Sequence, residues 1–197
     1  MEEKSANDFI KIIKEFGKRP SIEELDSVIL KNKENKQALI ELISKKIECI
    51  NMKLLYIASK DGVGYNDLFN KINNKSNLIF LYLTGNKRIF GNYVNTKLEN
   101  LGNETDKYYN DEKSFVFSLN DNKIYNILIP EKAIRFYKQE YSILIGNTGI
   151  GNGFYFCGKT IIDTGLLKKP KIYDFGKNKE LTEGENSFNE LEIFQII

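Results

Sequence analysis

A chain of 197 residues with 41% apolar and 12% aromatic side chains carries enough hydrophobic material for one sizeable core. Its 29 Lys+Arg against 27 Asp+Glu leave a net charge of +2, and residues 1–52 hold ten of each sign, so neither part is the basic face that a groove-reading nucleic-acid binder presents. There is no histidine, which excludes His-ligated metals, Ser-His-Asp and Cys-His catalysis, and a histidine pH switch.

The opening MEEKSAND is too polar for a secretory signal and no apolar run reaches the eighteen or so residues of a membrane span, so the expected location is the cytoplasm or nucleus, without membrane insertion. Asn74 and Asn103 each open an N-x-S/T sequon, read as chance in a chain that is not exported. Phe9, Ile12, Ile13 and Phe16 form a helical stripe that stops at Gly17. Ser21 and Glu24 stand at capping-box spacing and open a second stripe, Ile22, Leu25, Val28 and Ile29. The polar run Lys31 to Gln37 reads as a break, and Leu39, Leu42, Ile43, Ile47 and Ile50 make a third stripe. Residues 1–52 are therefore expected to be an N-terminal helical arm, packed on the following domain or docked on a partner helix.

From Lys53 to Leu83 the period changes twice. Leu54 to Ile57 is a short apolar run ended by the turn residues Ser59, Lys60, Asp61 and Gly62; Asn66 is placed to cap a helix carrying Leu68, Phe69 and Ile72; and Leu78 to Leu83 is unbroken apolar sequence, the pattern of a strand buried on both faces. Beyond it the segments are short and β-rich. Thr84–Lys87 and Asn120–Asn122 are hairpin turns, Asn95 to Lys113 reads as a surface loop, and strands are expected at 133–137, 141–145, 154–157 and 191–196, with a polar excursion from Thr164 to Asn189. The fold class is α+β, dominated by antiparallel sheet.

Gly153 to Thr160, GFYFCGKT, fits the phosphate-loop spacing but is rejected. Phe154, Tyr155, Phe156 and Cys157 favour a pleated strand where small residues must turn their N–H groups onto phosphates, and no helix pattern follows. The glycine-rich Gly146 to Gly153 is read as a wide loop joining strands. Asp61, Asp67, Asp163, Asp174 and Glu185 show no spacing that pairs two carboxylates, and adjacent Ser59 and Lys60 point to different faces. Cys49 and Cys157 form neither a C-x-x-C motif nor a disulfide framework and read as apolar filler.

In this order, LLYIASKDGVGYNDLFNKI, IFGNYV, FVFSL, EKAI, the glycine-rich loop, EGENSF and LEIFQI resemble the TLDc domain of eukaryotic oxidation-resistance proteins over residues 53–197. The resemblance implies a two-layer antiparallel β-sandwich with flanking helices and no established catalytic activity; no cofactor or metal is expected. It implies a cytosolic protein-interaction module in oxidative-stress protection or in regulating the vacuolar proton-pumping ATPase. Asp61, Gly62, Gly184 and Glu185 are the candidate interaction or structural residues: Gly184 for a turn needing positive φ, Glu185 to fold back onto the Ser59–Gly62 turn. An enzyme or small-ligand binder using a cleft near Asp61 and Glu185, and a DNA-binding stress regulator, are the alternatives.

Overall fold

The unbroken apolar run of β2, Leu78–Thr84, requires cover on both sides, and the architecture follows from that requirement. The computed structural model describes residues 25–48, 51–99, 107–137, 142–145, 148–150, 172–174 and 188–197. Along β2, Leu78, Phe80 and Tyr82 point into one apolar cluster, and Ile79 and Leu81 into another. The period of two is thereby split between two cores.

β2 lies inside a six-stranded antiparallel sheet with β1 (Met52–Ile57), β3 (Ile89–Val94), β5 (Phe115–Ser118), β6 (Lys123–Asn126) and β10 (Phe188–Ile196), in the order β1-β10-β2-β3-β5-β6. A four-stranded sheet holds β4 (Lys107–Tyr109), β7 (Ile134–Tyr137), β8 (Ser142–Ile145) and β9 (Thr148–Ile150), ordered β4-β7-β8-β9. The inner cluster joins them into the expected sandwich. Phe80, Tyr82, Phe90 and Val116 of the large sheet share it with Tyr109, Ile134, Phe136 and Ile145 of the small one. Two short helices flank this layer, α2 (Ala58–Asp61) and α3 (Tyr65–Ile72), and a longer one, α1 (Lys33–Ile43), precedes the strands. Leu68, Phe69 and Ile72 of α3 enter the inner cluster, with the Phe69 ring edge-on to Phe136 at 5.5 Å.

The outer face of the large sheet is covered by the segment that precedes it. Leu25, Ile29 and Leu30, with Leu39, Ile40, Leu42 and Ile43 of α1, pack against Ile79, Leu81, Phe117 and Phe194. This part of the arm packs on the sheet domain. Its secondary structure differs from the expectation: residues 25–32 are not helical, the helix begins inside the polar run read as a break, where the Asn32 side chain caps it by accepting from the Asn35 N–H at 2.8 Å, and it ends at Ile43, short of Ile47 in the third stripe. The first stripe, Phe9 to Phe16, lies outside the described residues.

Both hairpins form as expected, β2 to β3 through Lys87 at φ +64° and β5 to β6 through Asn122 at φ +49°. The Arg88 guanidinium meets the Asp121 carboxylate at 2.6 Å and fastens the two turns together. Asn95 to Lys113 is more than a surface loop. Leu98 is fully buried, β4 lies within the stretch, and the Asp111 carboxylate accepts the N–H groups of Asn95, Thr96 and Lys113. The strand expected at Phe154–Cys157 and the phosphate-loop decoy lie outside the described residues.

Gly91 of β3 sits beneath the Phe117 ring, where a Cβ would lie 2.3 Å from Phe117 Cζ and 2.4 Å from the Phe80 carbonyl oxygen. The second neighbour is sheet backbone and cannot swing away. Gly91→Ala is therefore expected to cost about 1–3 kcal/mol or more by overpacking, read as a lowered urea midpoint; an unchanged midpoint would show that β2 and β3 separate freely at this position.

Candidate functional site

The sequence places two of its four candidate residues in the turn after β1. There the chain makes one turn of helix, α2, and the Asp61 carboxylate closes it: Oδ2 accepts the Ile57 N–H at 2.8 Å, and Oδ1 accepts from Lys71 Nζ of α3 at 2.9 Å. The Ile57 N–H, then Lys71, hold the Asp61 carboxyl below its ordinary value. Both oxygens are engaged, so Asp61 ties α2 to α3.

Gly62 leaves α2 at φ +102°, where an added Cβ would also lie 2.4 Å from Asp67 Oδ2. Its carbonyl accepts the Tyr56 hydroxyl at 2.6 Å. Burial, then Asp67, Asp61 and Glu190, push that hydroxyl up to about 12, so it stays protonated as a donor near neutrality. The start of α3 differs from the expectation. Gly64, not Asn66, is the capping position, and Asp67 supplies the missing side chain by accepting the Gly64 N–H at 3.0 Å.

Gly184 and Glu185 lie outside the described residues. Among the described residues, a tie to the turn of the kind expected of Glu185 is made by Glu190: its Oε1 accepts the Ser59 N–H at 3.1 Å and the Leu191 N–H at 3.1 Å. Two positions on, Glu192 is fully buried on the outer face of β10. Its Oε2 accepts the Ser27 hydroxyl at 2.6 Å, and its Oε1 accepts the N–H of Val28 at 2.5 Å and of Ile29 at 3.3 Å. This contact explains why 25–30 is not helical. The carboxylate takes N–H groups that a helix would use internally, and Ser27 Oγ in turn accepts the Leu30 N–H at 2.8 Å. The sequence signal for both residues was present: two acids, Glu190 and Glu192, in the otherwise apolar stretch ELEIF.

Burial raises the Glu192 carboxyl above the ordinary value, against the pull of Ser27, Val28 and Ile29 and with a push from Glu190. Both oxygens of Glu192 and one of Glu190 carry donors, which suits clamps. Among the described residues no three His, Cys, Asp or Glu gather to hold a metal ion, and no helix is long and apolar enough to cross a membrane.

The family model of the TLDc domain matches residues 25–197. The chain belongs to the TLDc family. No curated protein matches it. Membership supports a TLDc-type role in resistance to oxidative damage. The TLDc match takes in the segment anchored by Glu192 as well as both sheets.

The raised Glu192 value has a defined sign. The folded state holds this proton more tightly than the unfolded chain, whose carboxyl has the ordinary value of 4.5. The stability it contributes is full below that value and is lost as pH rises through the folded one. Measured by urea unfolding from about pH 4 to about pH 8, wild type is expected to lose stability relative to Glu192→Gln as pH rises. A difference constant across that window would mean that Glu192 titrates alike folded and unfolded.

Proposed function

We propose that this protein is a non-enzymatic protein-interaction module of the TLDc type. It acts in protection against oxidative damage, through cytosolic protein partners among which subunits of the vacuolar proton-pumping ATPase are the first candidates. The observation that carries this reading is the TLDc match across residues 25–197. The α2 turn supports it, because Asp61, Tyr56 and Glu190 are occupied as hydrogen-bond partners of the backbone and of Lys71.

The division into an arm, 1–52, and a domain, 53–197, is proposed in a form that respects the outer cluster: residues 25–48 work as part of the domain's packing. A fragment 53–197 bares Ile79, Leu81, Phe117 and Phe194 and leaves Glu192 without Ser27, Val28 and Ile29. It is expected to bind a hydrophobic dye and to aggregate where a fragment 25–197 stays monomeric, as read by size-exclusion chromatography. A monomeric, cooperatively unfolding 53–197 would restore the boundary at residue 52.

The function is tested with the full chain. It is expected to capture vacuolar ATPase subunits from a cytosolic extract and to raise survival of peroxide-treated cells. The double variant Cys49→Ser, Cys157→Ser should protect equally, since neither thiol is placed in a reactive motif. Loss of protection in a variant that still folds would return the function to thiol chemistry.

A further inference from the structure

Residues 25–43 are attached to the molecule in a different way from the strands they cover. Each strand of the large sheet is joined to its neighbours by a backbone ladder. Among the described residues no backbone-to-backbone hydrogen bond runs from 25–43 to either sheet. The segment is held by apolar packing in the outer cluster and by the Glu192 carboxylate, which takes the Ser27 hydroxyl and the N–H groups of Val28 and Ile29. The core between the two sheets contains no residue of 25–43. The sandwich is therefore closed without this segment, whose departure costs the outer cluster alone and is offset by the conformational freedom its backbone regains. A segment held by packing, beside a sheet held by ladders, opens as a separate cooperative unit below the free energy of global unfolding.

The exit of the segment supplies a pivot. Ser44, Lys45 and Lys46 are exposed, and Ile47 is the residue of this turn that touches the outer cluster. A cleft of about 560 Å³ lies between the turn and the strand ends at Asn77, Lys113 and Ile196, so the chain has room to swing between α1 and its anchor at Ile47.

Glu192 is the point on which solution conditions act. Ile57 of β1 and Leu81 of β2 lie opposite it in the sheet, Ser27, Val28 and Ile29 face it from the cover, and the charged group that acts on it is Glu190 of its own strand. Burial pushes its carboxyl above the ordinary value; once uncovered, the group faces water and that value returns. Loss of the proton therefore favours the uncovered form.

We propose that residues 25–43 are a strap that opens as one unit, pivoting at Ser44–Lys46 and latched by Glu192, while the sandwich stays folded. What the latch regulates is the exposure of the outer sheet face around Ile79, Leu81, Phe117 and Phe194.

The test is native-state hydrogen exchange of the full chain in sub-denaturing urea, comparing the amides of Val28, Ile29, Leu39 and Ile40 with those of Phe80, Tyr82 and Phe117. The four strap amides are expected to share one opening, populated about ten-fold or more above the opening that frees the strand amides. Its urea dependence should be weaker, because less surface is exposed. From about pH 5 to about pH 8 the strap amides of wild type should quicken beyond the intrinsic hydroxide dependence. In Glu192→Gln, which keeps an acceptor for Val28 and Ile29 but cannot titrate, they should follow that dependence. One urea dependence shared by strap and strands, or α1 amides that stay protected while Val28 and Ile29 exchange, overturns the strap as a unit. The same excess pH response in Glu192→Gln overturns the latch.

Discussion

The fold depends on one strand facing two ways. β10 lies between β1 and β2 and pairs with both. Leu191 and Ile193 are given to the sandwich core and Phe194 to the outer cluster. Its two glutamates join parts of the chain far apart in sequence: Glu190 holds the turn after β1, and Glu192 holds residues 27–29 at separations of 163 to 165 residues. A buried carboxylate is tolerated only when its oxygens are filled with donors, and here the donors are backbone groups that have thereby left regular helix. The cost of burying Glu192 is offset by fixing the path of the segment that seals the outer face.

The two ends of the large sheet are chemically unlike. At the α2 end the polar groups are inward-looking: Asp61, Glu190 and the Tyr56 hydroxyl close on neighbouring N–H and C=O groups or on Lys71. At the other end Asn77, Asn95, Lys46 and Lys113 line open space.

How much of this was legible in the sequence follows from the range of each interaction. The doubly buried strand at 78–84, both hairpins and the Gly62 turn are set by neighbours a few residues away, and each could be read from period and turn chemistry. Residues 25–32 could not, because a helical stripe at Leu25, Val28 and Ile29 was overridden by an acceptor on β10. The stretch Asn95–Lys113 misled for the same reason: its polar surface hides Leu98 and the triply bonded Asp111. The sequence reading assigned the tie to the Ser59–Gly62 turn to Glu185, which lies outside the described residues. Which of the acids between Glu183 and Glu192 supplied it was beyond reach of spacing alone, and among the described residues it is Glu190.

The place of β10 in the sheet also governs how the protein is made. It follows every other described strand in the chain, yet it is an inner strand of the sheet. Synthesis proceeds from the N-terminal end at about 5–20 residues per second. β1 and β2 therefore leave the ribosome long before the strand that belongs between them, and each waits with an unpaired edge. The outer face has its apolar cover already made, in residues 25–48, but lacks the Glu192 carboxylate that fixes its course. Until residues 188–196 are released, the nascent chain has a gap in the large sheet, bordered by the same edge hydrogen-bonding groups that β10 later fills.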